Sequence, residues 1–270
     1  MGFSYNKVLL IGATSGIGAG LADRFVQEGV KVVAVGRRKE KLDAFVAKHG
    51  GNQAASVVFD ITDLASIPRF VDEVTAAHPD IDSVFLNSGI QRGMNFTKPD
   101  KVDLGTFDLE LTTNYTSFIH LTKYLLPFLQ KQPNPTSIIY TTSGLALTPI
   151  NYCPNYCATK AALHHFVLVL REQMKDGGFA SLKVIEVFPP AVQTELHDAD
   201  KQPYIEAGRQ LGMPLADFIA ETWEGLANGR EQIPVGTSKM SFEGWEQERQ
   251  KAFLATNQHM AGLLQGFYAH

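Results

Sequence analysis

Lys7-Val8-Leu9-Leu10-Ile11-Gly12-Ala13-Thr14-Ser15-Gly16-Ile17-Gly18 is the stretch on which the reading of this chain turns. Residues 7–11 are an apolar run of strand character, and a glycine-rich turn follows at once. Ile17, Leu21, Phe25 and Val26 then recur on one helical face that ends near Gly29. Val30-Lys31-Val32-Val33-Ala34-Val35 is a second strand, rich in β-branched residues. Strand, glycine turn, helix and strand make a unit suited to a dinucleotide. Gly12 permits the tight turn, while Gly16 and Gly18 let backbone and helix approach a pyrophosphate. Thr14, Ser15 and Ile17 complete the loop, and the helix N-terminus offers it free N–H groups and a positive dipole end. The glycines are spaced G-x-x-x-G-x-G, not G-x-G-x-x-G.

The second strand runs into Gly36-Arg37-Arg38. A carboxylate here would accept hydrogen bonds from ribose hydroxyls and repel a 2′-phosphate, whereas an arginine binds that phosphate with charge-assisted bonds. Arg37, with Arg38 beside it, therefore points to NADP(H). Further strands are expected at Ser56–Phe59, Ser83–Leu86, Ser137–Thr141 and Lys183–Val187, with helical stretches between them. Such alternation implies an α/β fold, a Rossmann-like doubly wound parallel sheet of about seven strands flanked by helices. No repeat or linker divides the chain, so residues 1–270 are expected to form one domain. The irregular segment 195–215 follows the sixth strand, beyond whose C-terminal end ligands of such sheets bind, and is the expected substrate lid. Residues 242–253 read as an additional helix. The tail, with Gly262, Gly266, Phe267 and Tyr268, is expected to pack on a partner or fray.

Tyr156 and Lys160 begin a helix whose apolar positions are Leu163, Phe166, Val167, Leu170 and Met174. Residues four apart project from the same helix face, so the ammonium is expected to favour the ionised form of the phenol. Ser143 precedes Tyr156 by thirteen residues.

With these elements in order, the chain resembles the short-chain dehydrogenase/reductase family over nearly its whole length. Gly12, Gly16 and Gly18 match the family's cofactor loop. Asp60, with Ile61 after it, matches the acidic residue that contacts adenine. Leu86-Asn87-Ser88-Gly89 matches the Asn-Asn-Ala-Gly element, and Pro189, Val192 and Thr194 match the segment that closes over the nicotinamide. Asn114, Ser143, Tyr156 and Lys160 match the catalytic positions. Three residues depart from the pattern: Ile11 for threonine, Leu86 for asparagine, and Pro190 for glycine, which stiffens the turn beside the nicotinamide. The resemblance implies hydride transfer between NADP(H) and a carbonyl or alcohol. Tyr156 would be the acid/base and Ser143 would hold the substrate oxygen. Lys160 would hold the nicotinamide ribose, and Asn114 a relay water. It also implies a homodimer or homotetramer built through helices near 105–130 and 155–175. A sensor of NADP(H), or an enzyme acting on an imine or enone, are the alternatives. Leu145, Leu147, Ile150, Tyr152 and Cys153 are the expected substrate contacts, which suit a small, partly apolar molecule.

Composition narrows the rest. The 270 residues are 44% apolar, enough for a sizeable core, and the formal charge is −4. That balance gives no basic footprint for nucleic acid or an anionic membrane. No apolar run reaches the ~18 residues of a membrane span. A chain that enters its first strand directly leaves no room for a signal peptide, and two cysteines, Cys153 and Cys157, are expected to stay reduced, so a cytoplasmic location follows. Closeness to Tyr156 is expected to put one of them in the pocket wall. The eight histidines and two cysteines form no metal motif, so no metal is expected. Ser143 lacks the G-x-S-x-G elbow of a hydrolase.

Overall fold

The computed structural model describes residues 4–199, 201–202 and 207–264. Its sheet consists of β1 (Lys7–Ile11), β2 (Lys31–Gly36), β3 (Ala54–Val58), β4 (Ser83–Leu86), β5 (Thr136–Thr141), β6 (Leu182–Phe188) and β7 (Gln232–Pro234). The order across it is β3-β2-β1-β4-β5-β6-β7 and every pairing is parallel. The chain winds outward from β1 to β3, then returns to add β4 on the other side of β1. A crevice therefore opens beyond the C-terminal ends of β1 and β4, where the strand order reverses.

Successive β1 side chains enter opposite layers, as the strand period requires. Leu9 and Ile11 pack with Phe118, Leu121, Leu163 and Val167 beneath α3 (Ile67–Ala77), α5 (Ser117–Gln130) and α6 (Pro154–Asp176). Val8 and Leu10 pack with Leu21, Phe25, Phe218 and Leu226 from α1 (Gly16–Gln27) and α7 (Leu215–Ala227). Helices on both faces explain why the strand reads as an unbroken apolar run. Each such side chain contributes ~1.5–3 kcal/mol by leaving water, so the strand ends that carry the crevice are held rigidly.

Three regions differ from the sequence reading. The helix expected near 105–130 is a rod in two parts, α4 (Leu104–Leu111) and α5, joined by a π-helical turn at Thr112–Thr116. The seventh strand, β7, is three residues long and ends at Pro234, too short to leave an alternating signature. The C-terminal helix begins earlier than residue 242. A short α8 (Ser238–Ser241) passes through a π-helical turn (Phe242–Glu246) into α9 (Gln247–Leu264). Two short 3-10 turns, Glu195–His197 and Gly208–Gln210, lie within 195–215, which ends where α7 begins. Gly262 lies within α9, whereas Gly266, Phe267 and Tyr268 are outside the described residues.

Candidate active site

The crevice holds a cavity of about 780 Å³. Gly12, Thr14, Ser15, Gly16, Ile17, Arg37, Arg38, Asp60, Ile61, Asn87, Gly89, Pro189, Val192 and Thr194 all line it, as the sequence predicts. Gly18 does not, and its role is packing: a Cβ there would overlap the Gly12 carbonyl oxygen. Gly12 itself has φ +91°, and a Cβ on it would press against Ser88. The two glycines thus let α1 start directly under the strand ends. Asn87 fastens this corner, since Nδ2 donates to the Gly12 carbonyl (3.2 Å) and Oδ1 accepts from Thr141 Oγ1 (3.0 Å). The apolar Leu86 therefore costs no strand-to-strand contact that Asn87 does not supply.

At the far end of the crevice the two arginines differ. Arg38 is engaged, donating to Thr14 Oγ1 (3.1 and 3.2 Å) and to Glu195 Oε2 (2.8 Å). Arg37 is 67% exposed, with Asp60 3.7 Å away. Burial works to raise the Asp60 carboxyl, but hydrogen bonds from Thr62 and the nearby Arg37 bring it below its ordinary value. A cationic, open residue at the end of β2 fits a 2′-phosphate.

Ser143 follows β5, while Tyr156 and Lys160 lie one turn apart near the start of α6, and all three line the cavity. Ser143 faces the Tyr156 hydroxyl and works to lower the phenol, but burial outweighs it and pushes the phenol up, so Tyr156 is protonated at neutral pH. The expected placement of Lys160 beside the Tyr156 ring is present, while burial is the larger influence on the phenol. The Lys160 Nζ donates to the Thr141 carbonyl (2.8 Å), 5.8 Å from the centre of the tyrosine ring. Burial also lowers the ammonium itself to about 8, against the pull of Glu110 and Glu186, because a low-dielectric site disfavours both charges.

Asn114 is buried, lies in the π-helical turn and does not line the cavity. Its Oδ1 accepts from the Ile90 N–H (2.9 Å), and Nδ2 donates to the Ile90 carbonyl (2.8 Å) and Thr159 Oγ1 (3.2 Å). Gly89 lies between the Asn114 and Lys160 side chains, where a Cβ would still fit at 3.5 and 3.6 Å.

Of the expected substrate contacts, Leu145, Ile150 and Tyr152 line the cavity and Leu147 and Cys153 do not. Leu147 is drawn away to pack on Phe188 and Phe242. Cys153 is fully buried at the N-cap of α6, accepts from Gln91 Nε2 (3.0 Å) and lies 3.9 Å from Cys157 Sγ. Cys157 is buried too, so neither thiol takes the place in the pocket wall expected for one of them. The places are taken by Arg92 and Thr148, and by Thr237, Ser238 and Ser241 around α8. Arg92 was legible in principle, since it leaves the C-terminal end of β4. The residues around α8 carry no local signal.

Two buried polar clusters flank the site. Glu110 Oε1 accepts from the Arg92 N–H (2.8 Å) and Oε2 from Asn155 Nδ2 (2.7 Å), and burial raises its carboxyl to about 7 despite both bonds. His164, one turn beyond Lys160, lies between Glu186 (2.8 Å) and Glu246 (2.9 Å), all three 1% exposed or less. That second cluster fastens the C-terminal region to the helix bearing Tyr156 and Lys160. Among the described residues no group of His, Cys, Asp and Glu could hold a metal ion, and no helix is long and apolar enough to cross a membrane.

Residues 6–204 match the family model described as short chain dehydrogenase. The chain belongs to the short-chain dehydrogenase family. An uncharacterized oxidoreductase, DltE, of Bacillus subtilis is 32% identical to this dehydrogenase across 86% of its chain and 89% of the relative. Serine 3-dehydrogenase of Agrobacterium fabrum is 31% identical across 90% and 98%. Among solved structures, a Burkholderia phymatum short-chain dehydrogenase/reductase in complex with NAD superposes with a TM-score of 0.78 at 19% identity, covering 98% of this chain and 96% of that one. The closed form of a serine dehydrogenase complexed with NADP+ gives a TM-score of 0.73 at 25% identity, over 85% and 94%. Family and fold make this chain an oxidoreductase that uses a nicotinamide cofactor.

Proposed function

We propose that this dehydrogenase uses NADP(H) to interconvert a carbonyl and its alcohol on a small, partly apolar molecule. The observation that carries the reading is that Ser143, Tyr156 and Lys160 share one wall of the cavity that the glycine loop also lines, with Lys160 Nζ 5.8 Å from the tyrosine ring. The open Arg37 supports NADP(H), as does the NADP+ in the serine dehydrogenase neighbour.

Bound NADPH supplies the hydride that adds to the carbonyl carbon. The residues of the chain handle the oxygen. Tyr156 Oη, protonated in its buried setting, donates to the alkoxide as charge develops there, and Ser143 Oγ donates a second hydrogen bond to the same atom. A phenol that keeps its proton at neutral pH suits the reductive direction. Lys160 would hold the nicotinamide ribose hydroxyls, and its buried ammonium, lowered to about 8, lies behind the phenol as a proton donor to the relay. The Asn114 amide is occupied by Ile90 and Thr159, so it holds the Ile90 backbone beside Gly89. Segment 195–215, which contributes Glu195, Leu196, His197, Lys201, Gln202 and Leu211 to the cavity, acts as the lid of this single-domain enzyme. A cytoplasmic homo-oligomer is the form we infer for it.

The test follows NADPH absorbance over a panel of ketones, aldehydes and diketones. Wild type should consume NADPH, and Tyr156→Phe should lose at least ~10²-fold in kcat, the range of general acid catalysis. A Tyr156→Phe enzyme keeping more than about a tenth of the wild-type rate refutes the role of Tyr156. Tight NADPH binding without any turnover would favour a sensor.

A further inference from the structure

Five cationic side chains line the cavity among the described residues, and four have an evident task. Arg37 faces Asp60, Arg38 is paired with Glu195, and Lys201 lies 4.0 Å from Glu195 and 3.9 Å from Asp198. Lys160 is the lysine of the catalytic set. Arg92 is different. Its Nη1 donates to the Gln91 carbonyl (2.8 Å), and among the described residues no carboxylate oxygen lies within 4.0 Å of its guanidinium. A half-buried charge is costly to keep without a counterion.

The backbone around Arg92 is pinned to the helices that carry Asn114, Glu110 and Cys153. Ile90 is bonded on both its N–H and carbonyl to Asn114, and the Arg92 N–H donates to Glu110. Gln91 Nε2 reaches Cys153 at the start of α6, three residues before Tyr156. The residues after Arg92 pack on the segment leading into α6, since the Met94 N–H donates to the Tyr152 carbonyl (3.2 Å) and a Cβ on Gly93 would lie 3.0 Å from the Tyr152 ring. The acid behind Arg92 compensates poorly. Both Glu110 oxygens are already taken by the Arg92 N–H and Asn155, and burial brings its carboxyl to about 7, partly protonated at neutral pH. The cavity therefore presents a guanidinium fork without a full countercharge, in a wall that also includes Ser143, Tyr156 and the apolar Leu145 and Ile150.

We propose that the substrate is a short oxo or hydroxy acid whose carboxylate is bound by Arg92 while its carbonyl oxygen lies on Tyr156 and Ser143. A planar guanidinium matches a carboxylate with two parallel hydrogen bonds, which a lysine cannot reproduce. This assignment rests on reading Tyr156 and Ser143 as the carbonyl site.

The experiment compares wild type, Arg92→Met and Arg92→Lys on 3-hydroxy acids of three to five carbons and on their methyl esters, with NADP+ and Tyr156→Phe as the control. The wild type should prefer acid over ester. Arg92→Met should lower the acid-to-ester ratio of kcat/KM about a hundredfold, the size expected when one partner of a desolvated charge pair is removed, and Arg92→Lys should restore part of it. A ratio unchanged in Arg92→Met, or a wild type that prefers esters, overturns the proposal. So does a tenfold weaker NADPH affinity with unchanged acid selectivity, because Arg92 would then serve a cofactor phosphate. Turnover that persists in Tyr156→Phe overturns the carbonyl site itself, whereas Tyr156-dependent turnover without acid preference overturns only the role of Arg92. If the wild type turns over neither series, titration of 3-hydroxybutyrate into the NADP+-loaded protein decides. Saturable binding lost in Arg92→Met upholds the carboxylate site, and no binding by the wild type rejects it.

Discussion

The buried His164 cluster should make this dehydrogenase lose stability as the solution turns alkaline. His164 Nδ1 lies 2.8 Å from Glu186 and Nε2 lies 2.9 Å from Glu246. Burial alone would lower the imidazole, but the two carboxylates outweigh it and raise the ring from 6.5 to about 9. Arg249 Nη2, 2.9 Å from Nε2, and the neighbouring His165 work in the opposite direction, and two carboxylates at contact prevail. A group raised on folding contributes fully below its unfolded pKa, and that contribution is lost as pH rises through the folded value. At 1.36 kcal/mol for each tenfold, the displacement is about 3 kcal/mol. Glu246 is brought down to about 2, against its burial, by hydrogen bonds from His164, Arg249 and Gln250. Between pH 7 and 9 the folded chain holds the proton and the unfolded chain does not. Urea denaturation should therefore show the wild type losing about 1.4 kcal/mol per pH unit more than His164→Gln. The comparison uses slopes, so the variant's own loss of stability does not enter. Parallel slopes would mean that His164 is neutral, its Nε2 accepting from Arg249, and the reasoning would fail. The consequence is local to function: α9 buries none of its own residues, so this cluster is a main attachment of the C-terminal region to the catalytic helix.

Two further outcomes follow from the site. Lys160→Met should abolish turnover yet stabilise the fold by about 2 kcal/mol at pH 7. The ammonium is held at about 8 rather than 10.5, a cost near 3 kcal/mol, offset by about 1 for the hydrogen bond to Thr141. That cost is present below pH 8 and fades toward 10.5, so the variant's advantage in thermal melts should shrink and then reverse as pH rises; a lower Tm for the variant at pH 7 would contradict it. Arg37→Ala should weaken NADPH about tenfold to a hundredfold by fluorescence titration and leave NADH nearly unchanged. Equal weakening of both would show that Arg37 does not face a 2′-phosphate.

Much of this molecule is written locally. Lys7–Ile11 is apolar at every position after the first because helices cover both faces of the sheet, and the glycines that follow have no alternative residue that the turn would accept. Tyr156 and Lys160 are neighbours because a helix puts residues four apart on one face. Such features are carried by spacings of a few residues, and neither needs the rest of the chain to be recognised. Arg37 is legible in the same way, at the end of a strand whose β-branched composition marks it, whereas Asp60 was given by the family resemblance.

What required the assembled chain concerns the contacts made between distant segments. Leu147 and Cys153 sit among pocket residues in the sequence but turn into the protein, one toward Phe188 and Phe242, the other toward Gln91 and Cys157. Ser238 and Ser241 enter the cavity wall from nearly a hundred residues beyond Ser143, carried there by a three-residue strand. His164, Glu186 and Glu246 look like ordinary surface residues until β6 and the C-terminal turn close around α6. Even the charge states of Tyr156 and Lys160 belong to this level. The pairing is local, but the desolvation that keeps the phenol protonated and weakens the ammonium comes from every element packed over them, and no short window of sequence encodes a dielectric.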